Sequence, residues 1–440
     1  KISDTPKFIV CRHEQNAVFM AQSYGRLTGR PGICIATAGP GATNLVTGVA
    51  TATADRDPII AITGENPHGG LFKKHHQNLA TADLFRPITK MSTEITDPET
   101  IPDAVALAFR TAMQPRQGAV HLSFPLDILQ MPVASKALPY ISAPNCSSAS
   151  QPLLAEAMRL ITRSKHPVIL AGVGVRDAHV ADALRKLVHS TGIPLIGTFE
   201  SAGVLSRDLV PYFLGRVGMK AVEPGDLALR MADMVLAVGY DNIEYSPAYW
   251  NVGVKKSIIH VDHILSDPDK NYLPTVELIG SPTEILADLT DMIKRPWTPF
   301  HPKVVSAKKA FDKKRQTYAT SGNKVHPLHI INELRSLLPD DATVCSDVGS
   351  HQIWLAEYFL TYRPNSLLFS MGFQTMGVAL PWAMAATLVQ GKKPVVSISG
   401  DGSFLMSAME LETAVRHKMN VTHLIWRDDS YNLVKIQQED

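Results

Sequence analysis

Val395-Val396-Ser397-Ile398-Ser399 runs directly into Gly400-Asp401-Gly402-Ser403, and further on Val421-Thr422-His423-Leu424-Ile425-Trp426 runs into Arg427-Asp428-Asp429-Ser430. The two apolar runs read as neighbouring buried strands of a parallel sheet, joined by an amphipathic helix with Ala408, Leu411, Glu412 and Val415 at helical spacing. Asp401 and Asp428 lie 27 residues apart, a length that one right-handed crossover spans, so both carboxylates return to the same sheet edge. A turn offering backbone N–H groups beside two carboxylates suits a divalent cation bridging a diphosphate, and hard oxygen donors favour magnesium. Gly-Asp-Gly alone is only a turn, and Asp428-Asp429 alone only a solvated loop. The ordered set of strand, motif, helix, strand and acidic loop carries the reading.

Working outward, the block that holds this clamp covers about 325–440, with a helix from Val325 through Leu338 and a strand at Thr343 to Ser346. A first block, 1–135, offers strands at Phe8 to Cys11, Gly32 to Thr37, Pro58 to Thr63 and Ala119 to Ser123. Met131 to Pro152 lacks periodicity and reads as a linker. A middle block, 153–295, opens with a helix over Leu153 to Arg163 and continues with Pro167 to Gly174, Ile193 to Thr198, Met234 to Gly239 and Ser257 to Val261 as strands. Pro296 to Gly322 is a second connection, part of it helical. The expected fold is α/β, with three doubly wound parallel-sheet domains. The turn Ala171-Gly172-Val173-Gly174 lacks the full GxGxxG pattern, and such a turn needs no nucleotide.

At 440 residues the chain exceeds what one hydrophobic core organises. Its 43 basic and 41 acidic residues form no basic run, which argues against nucleic acid or a membrane surface as partner. Cys11, Cys34, Cys146 and Cys345 show neither CxxC nor zinc-type spacing and read as reduced structural thiols. No apolar run has the length of a membrane span, and Lys1 to Lys7 is not a signal peptide, so the expected location is cytoplasmic.

From Ser399 to Val434 the sequence resembles the cofactor motif of the thiamine diphosphate enzymes. The resemblance implies Asp401 and Asp428 as side-chain metal ligands, with the backbone carbonyl of Ser430 as a third. Many relatives have Asn where this chain has Arg427. It also implies a glutamate at the end of an early strand, which Phe8-Ile9-Val10-Cys11-Arg12-His13-Glu14 supplies. Alone, Glu14 is an acid at a helix N-terminus, where the dipole favours it. In this family such a carboxylate hydrogen-bonds the pyrimidine ring and favours the imino tautomer whose nitrogen takes the thiazolium C2 proton.

Met371-Gly372-Phe373-Gln374-Thr375-Met376-Gly377 resembles the family loop whose apolar residue, here Met376, props the cofactor into its bent shape. A methionine filling a core gap is the other reading. Thr37 to Asn44, a strand-to-helix turn, resembles a segment that approaches the cofactor across a subunit boundary, and Gln77 resembles a glutamine facing the reacting centre. Neighbouring His75 and His76 would point about 100° apart on a helix, which disfavours joint chelation. The implied cofactor contacts are Gly39, Ser350, His351, Gln374, Met376, Gly400, Gly402, Ser403 and Tyr431, and the implied catalytic residues are Glu14, Gln77 and Met376.

Arg12 to Ala17, Gly25-Arg26-Leu27-Thr28-Gly29, Gln374 to Pro381 and Met409 to Val415 resemble acetolactate synthases in particular. Gly239-Tyr240-Asp241-Asn242-Ile243-Glu244-Tyr245 is similar to the catabolic, flavin-independent type, where the biosynthetic type carries an Arg-rich, flavin-associated segment. The domains implied are pyrimidine-binding, central and diphosphate-binding. The cofactors implied are thiamine diphosphate and Mg2+, without FAD.

The reaction implied is condensation of two pyruvates to 2-acetolactate and CO2 through a hydroxyethyl carbanion on the cofactor. The assembly implied is a homodimer at minimum and a homotetramer. The alternatives are a biosynthetic FAD-containing synthase, another thiamine diphosphate 2-oxo acid decarboxylase or oxidase, and a thiamine-fold protein without catalysis. The resemblance further implies that part of the first block precedes Lys1 and part of the third follows Asp440.

Overall fold

The computed structural model describes residues 7–70, 73–139, 147–218, 223–253, 256–293, 296, 300–318 and 325–439. Cys146 and parts of both expected connections lie outside them. The strands are β1 (Gly32–Ala36), β2 (Ile59–Glu65), β3 (Met91–Glu94) and β4 (Ala119–Pro125), then β5 (Pro167–Ala171), β6 (Leu195–Gly197), β7 (Phe213–Arg216), β8 (Met234–Val238), β9 (Ser257–Asp262) and β10 (Val276–Ile279), and finally β11 (Thr343–Ser346), β12 (Leu367–Leu368), β13 (Val395–Gly400) and β14 (Val421–Trp426). The first sheet has the order β1-β2-β4-β3, the second β10-β9-β8-β5-β6-β7, and the third runs β11-β13-β14, all parallel. This is the expected α/β architecture of three parallel sheets.

Contacts divide the chain into two compact units. One gathers residues 1–143, 343–349 and 372–440 and holds the first sheet and β11-β13-β14; the other gathers 144–342 and 350–371 and holds the second sheet. Strands β4, β5 and β8 are buried along their whole length, as strands covered on both faces by helices must be. The helices begin where the sequence signals them: Pro152, Pro224, Pro282, Pro302 and Pro327 each stand in a first turn, where a missing N–H costs nothing. Among the described residues no helix is long and apolar enough to cross a membrane.

Two local expectations fail. Phe8 to Cys11 is not a strand: Phe8 is 65 % and Val10 63 % exposed, and the next N–H groups, of Arg12 and His13, donate to the Glu410 carboxylate instead of to a ladder. The connection from β13 to β14 is two short helices, Asp401–Leu405 and Glu410–Arg416, and its apolar stripe faces outward. Leu411 and Val415 are exposed while Glu410, Thr413 and Ala414 are buried. The hydrogen bonds that hold Glu410 inside fix the rotation of this helix, and they override its apolar periodicity. Strands β3, β7, β10 and β12 escaped the sequence reading; each is a short sheet edge, where a strand needs little apolar character.

Candidate functional site

In the first unit, β13 and β14 pair up to Gly400 opposite Trp426, so the segments that follow them leave the sheet side by side. Asp401 is the first residue of its helix, and its carboxylate accepts hydrogen bonds from the N–H of Gly402 (2.8 Å) and of Asp429 (2.9 Å). That second bond draws the loop carrying Asp428 and Ser430 to the strand end. Asp429 holds a left-handed backbone (φ 57°), and its side chain takes Arg427 Nε at 2.6 Å. Ser430 Oγ lies 3.5 Å from the Asp428 carbonyl oxygen. Ser403 is buried and donates to the Gly400 carbonyl (3.2 Å). Gly402 meets Tyr431 so closely that a Cβ there would stand 2.7 Å from the ring. Gly400, Asp401, Gly402, Ser403, Asp428, Ser430 and Tyr431 are therefore brought to one sheet edge.

A residue the sequence reading missed holds the neighbouring loop. Asp347, directly after β11, is fully buried, and its carboxylate accepts from Gly377 N–H (2.7 Å), Ser399 Oγ (3.0 Å), Val348 N–H (3.1 Å) and the N–H of Ala379. Burial pushes this carboxyl up to about 6, against the pull of those donors. It thereby pins the turn that presents Gln374 and Met376 beside the end of β13. Within that turn Gln374 has φ 52° and Gly377 φ 88°, and Met376 is half-buried, so it is not a fully enclosed core methionine. The signal was in the sequence: Cys345-Ser346-Asp347-Val348-Gly349 repeats the pattern of a strand ending in aspartate and glycine.

Glu14 opens helix Glu14–Thr28. The helix starts there because His13 is extended and its ring accepts from Gln15 N–H (3.1 Å), while Arg12 N–H (2.8 Å), His13 N–H (3.0 Å) and Asn16 Nδ2 (3.2 Å) all donate to the buried Glu410 carboxylate. The Glu14 carboxylate is half-buried and accepts from Asn44 Nδ2 at 3.0 Å, and Gly41 lies against it. The Thr37 to Asn44 turn thus abuts Glu14. At its other end Gly39 (φ 62°) touches Gln77 (φ 61°), leaving no room for a Cβ, which would stand 2.6 Å from Gln77 Cβ. Three of the described non-glycine residues with left-handed backbone, Gln77, Gln374 and Asp429, stand in these loops, where strain clusters at ligand sites. His75 and His76 are both exposed, and among the described residues no three His, Cys, Asp or Glu side chains gather as a metal group.

Behind the loops, helix Glu14–Thr28 packs on helix Ala379–Gln390 through a buried polar network. Arg26 grips Asp57 with two bonds (2.8 and 2.6 Å) and lies over the Trp382 ring; Gln22 bonds Asp55 and Asp57 and accepts from Trp382 Nε1 (3.2 Å). Asp55 then accepts Gly372 N–H (2.7 Å), and Thr51 meets Thr375 at 2.7 Å, so these contacts hold the Gln374 to Met376 turn just before it and at its centre. Burial raises Cys11 and Cys34 to about 12 and Cys345 higher still, as expected for inert, protonated thiols. Ser350 and His351 open helix Ser350–Tyr358 in the other unit.

Family models of thiamine pyrophosphate (thiamine diphosphate) enzymes match the chain three times: the N-terminal TPP binding domain at residues 1–84, the central domain at 154–289 and the C-terminal TPP binding domain at 347–440. The acetolactate synthase of Bacillus subtilis (strain 168) is 44% identical over 436 residues, which cover 98% of this chain and 76% of that protein. The chain belongs to the acetolactate synthase family of thiamine diphosphate enzymes. A catabolic acetolactate synthase of Raoultella terrigena is 37% identical over 440 residues (98% of this chain, 78% of that protein), and the isozyme 2 large subunit of Escherichia coli (strain K12) is 30% identical over 432 (98% and 78%).

The cofactor of this family is thiamine diphosphate, and the residues present fit it. The hydrogen bonds on the Asp401 carboxylate come from backbone N–H groups, of Gly402 and Asp429, which leaves oxygen lone pairs for a cation. The donors beside it are hard oxygens, as a diphosphate-bound divalent ion requires.

Proposed function

We propose that this chain condenses two pyruvates to 2-acetolactate with release of CO2, using thiamine diphosphate anchored through Mg2+, and that it does so without FAD. The observation that carries this reading is the Glu14 carboxylate, held by Asn44 beside the Gly39 turn, in the same unit as the Asp401 to Ser430 sheet edge. When bound, the cofactor supplies the electron sink that lets a 2-oxo acid lose CO2.

The chain's residues supply the rest. Asp401, Asp428 and the Ser430 carbonyl would hold the metal, with Gly400, Gly402, Ser403 and Tyr431 about the diphosphate. Met376 and Gln374 would contact the organic part. Glu14 would hydrogen-bond the pyrimidine ring and so would set which of its nitrogens can take a proton. Gly39 brings Gln77 to the same turn, where its amide would orient the keto acid.

The higher identity to a relative named catabolic (37%) than to an isozyme large subunit (30%) supports the catabolic type. Leu405, Met406, Met409, Leu411 and Val415 form an exposed apolar surface beside Asp401, which supports at least a homodimer and, with a second such contact, a homotetramer. The unpaired Cys11, Cys34 and Cys345 suit a reducing compartment such as the cytoplasm.

The test is a product assay with pyruvate on the purified protein. Acetolactate should form only when thiamine diphosphate and Mg2+ are both present, and from colourless enzyme. Acetaldehyde or acetyl phosphate in its place assigns another branch of the family; bound flavin removes the FAD-free reading; no turnover with both cofactors overturns the function.

A further inference from the structure

The second unit carries its own glycine turn, and its topology is that of a nucleotide site. Read from β7, the sheet runs β7-β6-β5-β8-β9-β10. Chain order starts at β5, goes outward through β6 and β7, then returns to the other side of β5 with β8. The crevice at the C-terminal ends of β5 and β8 is thus the point where the strand order reverses, the place where open α/β sheets bind ligands and where a dinucleotide's pyrophosphate meets the first glycine turn. Here that turn is Gly172-Val173-Gly174.

The turn is already occupied by the chain itself. Glu244, on the loop after β8, is 5 % exposed, and its Oε1 accepts from Val173 N–H (2.9 Å) and Asp241 N–H (3.0 Å). Its Oε2 accepts from Thr198 Oγ1, just after β6, at 2.5 Å. Gly172 is pressed so closely on it that a Cβ would stand 2.6 Å from Oε1. Gly174 N–H donates to the Gly239 carbonyl (2.9 Å). The following helix, Ala178–Thr191, has its first N–H groups, of His179 and Val180, taken by Asp177 (2.8 and 3.2 Å). Each donor that would greet a phosphate therefore has a carboxyl or carbonyl oxygen of this chain on it.

We propose that Glu244 is a resident carboxyl that stands in the nucleotide-phosphate position of the central sheet and keeps this domain from taking up a dinucleotide. The inference rests on the FAD-free part of the proposed function and gives it a cause. A phosphate entering the crevice would have to displace a buried carboxyl with three hydrogen bonds and then share the space with like charge, and neither change is offset by a free donor.

The experiment is a calorimetric titration with ADP, the fragment common to dinucleotide cofactors, on the full chain and on Glu244→Ala. The unaltered chain should bind weakly or not at all, and the variant should bind about tenfold tighter or more, because Val173 N–H and Thr198 Oγ become free for an anion. Glu244→Gln, which keeps the bulk and the acceptor, should stay closed.

A folded Glu244→Ala that gains no ADP affinity overturns the proposal, as does Glu244→Gln binding ADP as well as Glu244→Ala does. Should thermal unfolding show that Glu244→Ala is not folded, Glu244→Ser is read in the same way. Acetolactate formation is assayed in parallel: its loss in every sample, the unaltered chain included, counts against the proposed function and leaves the ADP result standing.

Discussion

At the end of β13 the carboxylate after Gly400 is half-buried, bonds only backbone N–H groups, and keeps its charge in reach of solvent. At the end of β5 the carboxyl that meets the glycine turn comes from 72 residues down the chain, at Glu244, and is sealed inside with three donors on it. Both are strands running into glycine turns on parallel sheets. What separates them is who supplies the oxygen atoms: the first turn carries its own carboxylate, with only backbone donors on it, and the second has its N–H groups satisfied from within. A glycine turn on a sheet edge marks where a ligand can sit; the surrounding loops decide whether one does.

The comparison implies that changes at the first site cost rate and cofactor affinity, while changes at the second alter stability and ligand range. The largest effect should come from Glu14→Gln, which lowers the rate of acetolactate formation about 10²- to 10⁴-fold with pyruvate KM nearly unchanged. An undiminished kcat would remove Glu14 from the chemistry. Next, Asp401→Ala should raise the Mg2+ concentration needed for half-maximal thiamine diphosphate binding by about tenfold or more, followed by quenching of tryptophan fluorescence. Chelation of Mg2+ in the unaltered protein should release the cofactor reversibly.

At the second site the effect is on stability and depends on pH. Burial pushes the Glu244 carboxyl up to about 7 from its ordinary 4.5. The folded chain then binds more protons than the unfolded chain between those values, so this group's contribution is full below about 4.5 and is lost as pH rises through about 7. Urea unfolding of the unaltered chain against Glu244→Gln should show the unaltered chain losing roughly 1–3 kcal/mol relative to the variant between pH 5 and pH 8. A difference that stays flat with pH would mean that Glu244 does not titrate in this window. The smallest effect belongs to Arg427→Asn. Its ion pair with Asp429 is exposed on both sides, so Tm should not move measurably, and cofactor affinity should change far less than in Asp401→Ala.

Much of the second and third sheets was legible because parallel strands buried on both faces write themselves as unbroken apolar runs, as Met234 to Val238 and Val395 to Ser399 do. The edges β3, β7 and β10 were not, since a strand covered on one side needs no such run. The exposed Phe8 and Val10 show the converse: an apolar run with no neighbour to pair with is not a strand. The helix after Asp401 failed for a related reason. Its apolar stripe predicted the buried face, but Glu410, with hydrogen bonds to Arg12, His13 and Asn16 nearly 400 residues away in the chain, turned a polar face inward.

The candidate site divides along the same line. Sequence alone determined the α/β class, the three parallel sheets and the return of Asp401 and Asp428 to one sheet edge, because strand ends, glycine turns and crossover lengths are local quantities; Glu14 stood out only through the resemblance. Only the tertiary structure decided that Asp347 pins the Met376 turn, that Gly39 abuts Gln77, that Arg26 and Asp57 sit behind the loop, and that Glu244 fills the second glycine turn. Each of those depends on which hydrogen-bond donor is left without water when distant segments close together, and that is settled by burial in three dimensions and not by spacing along the chain.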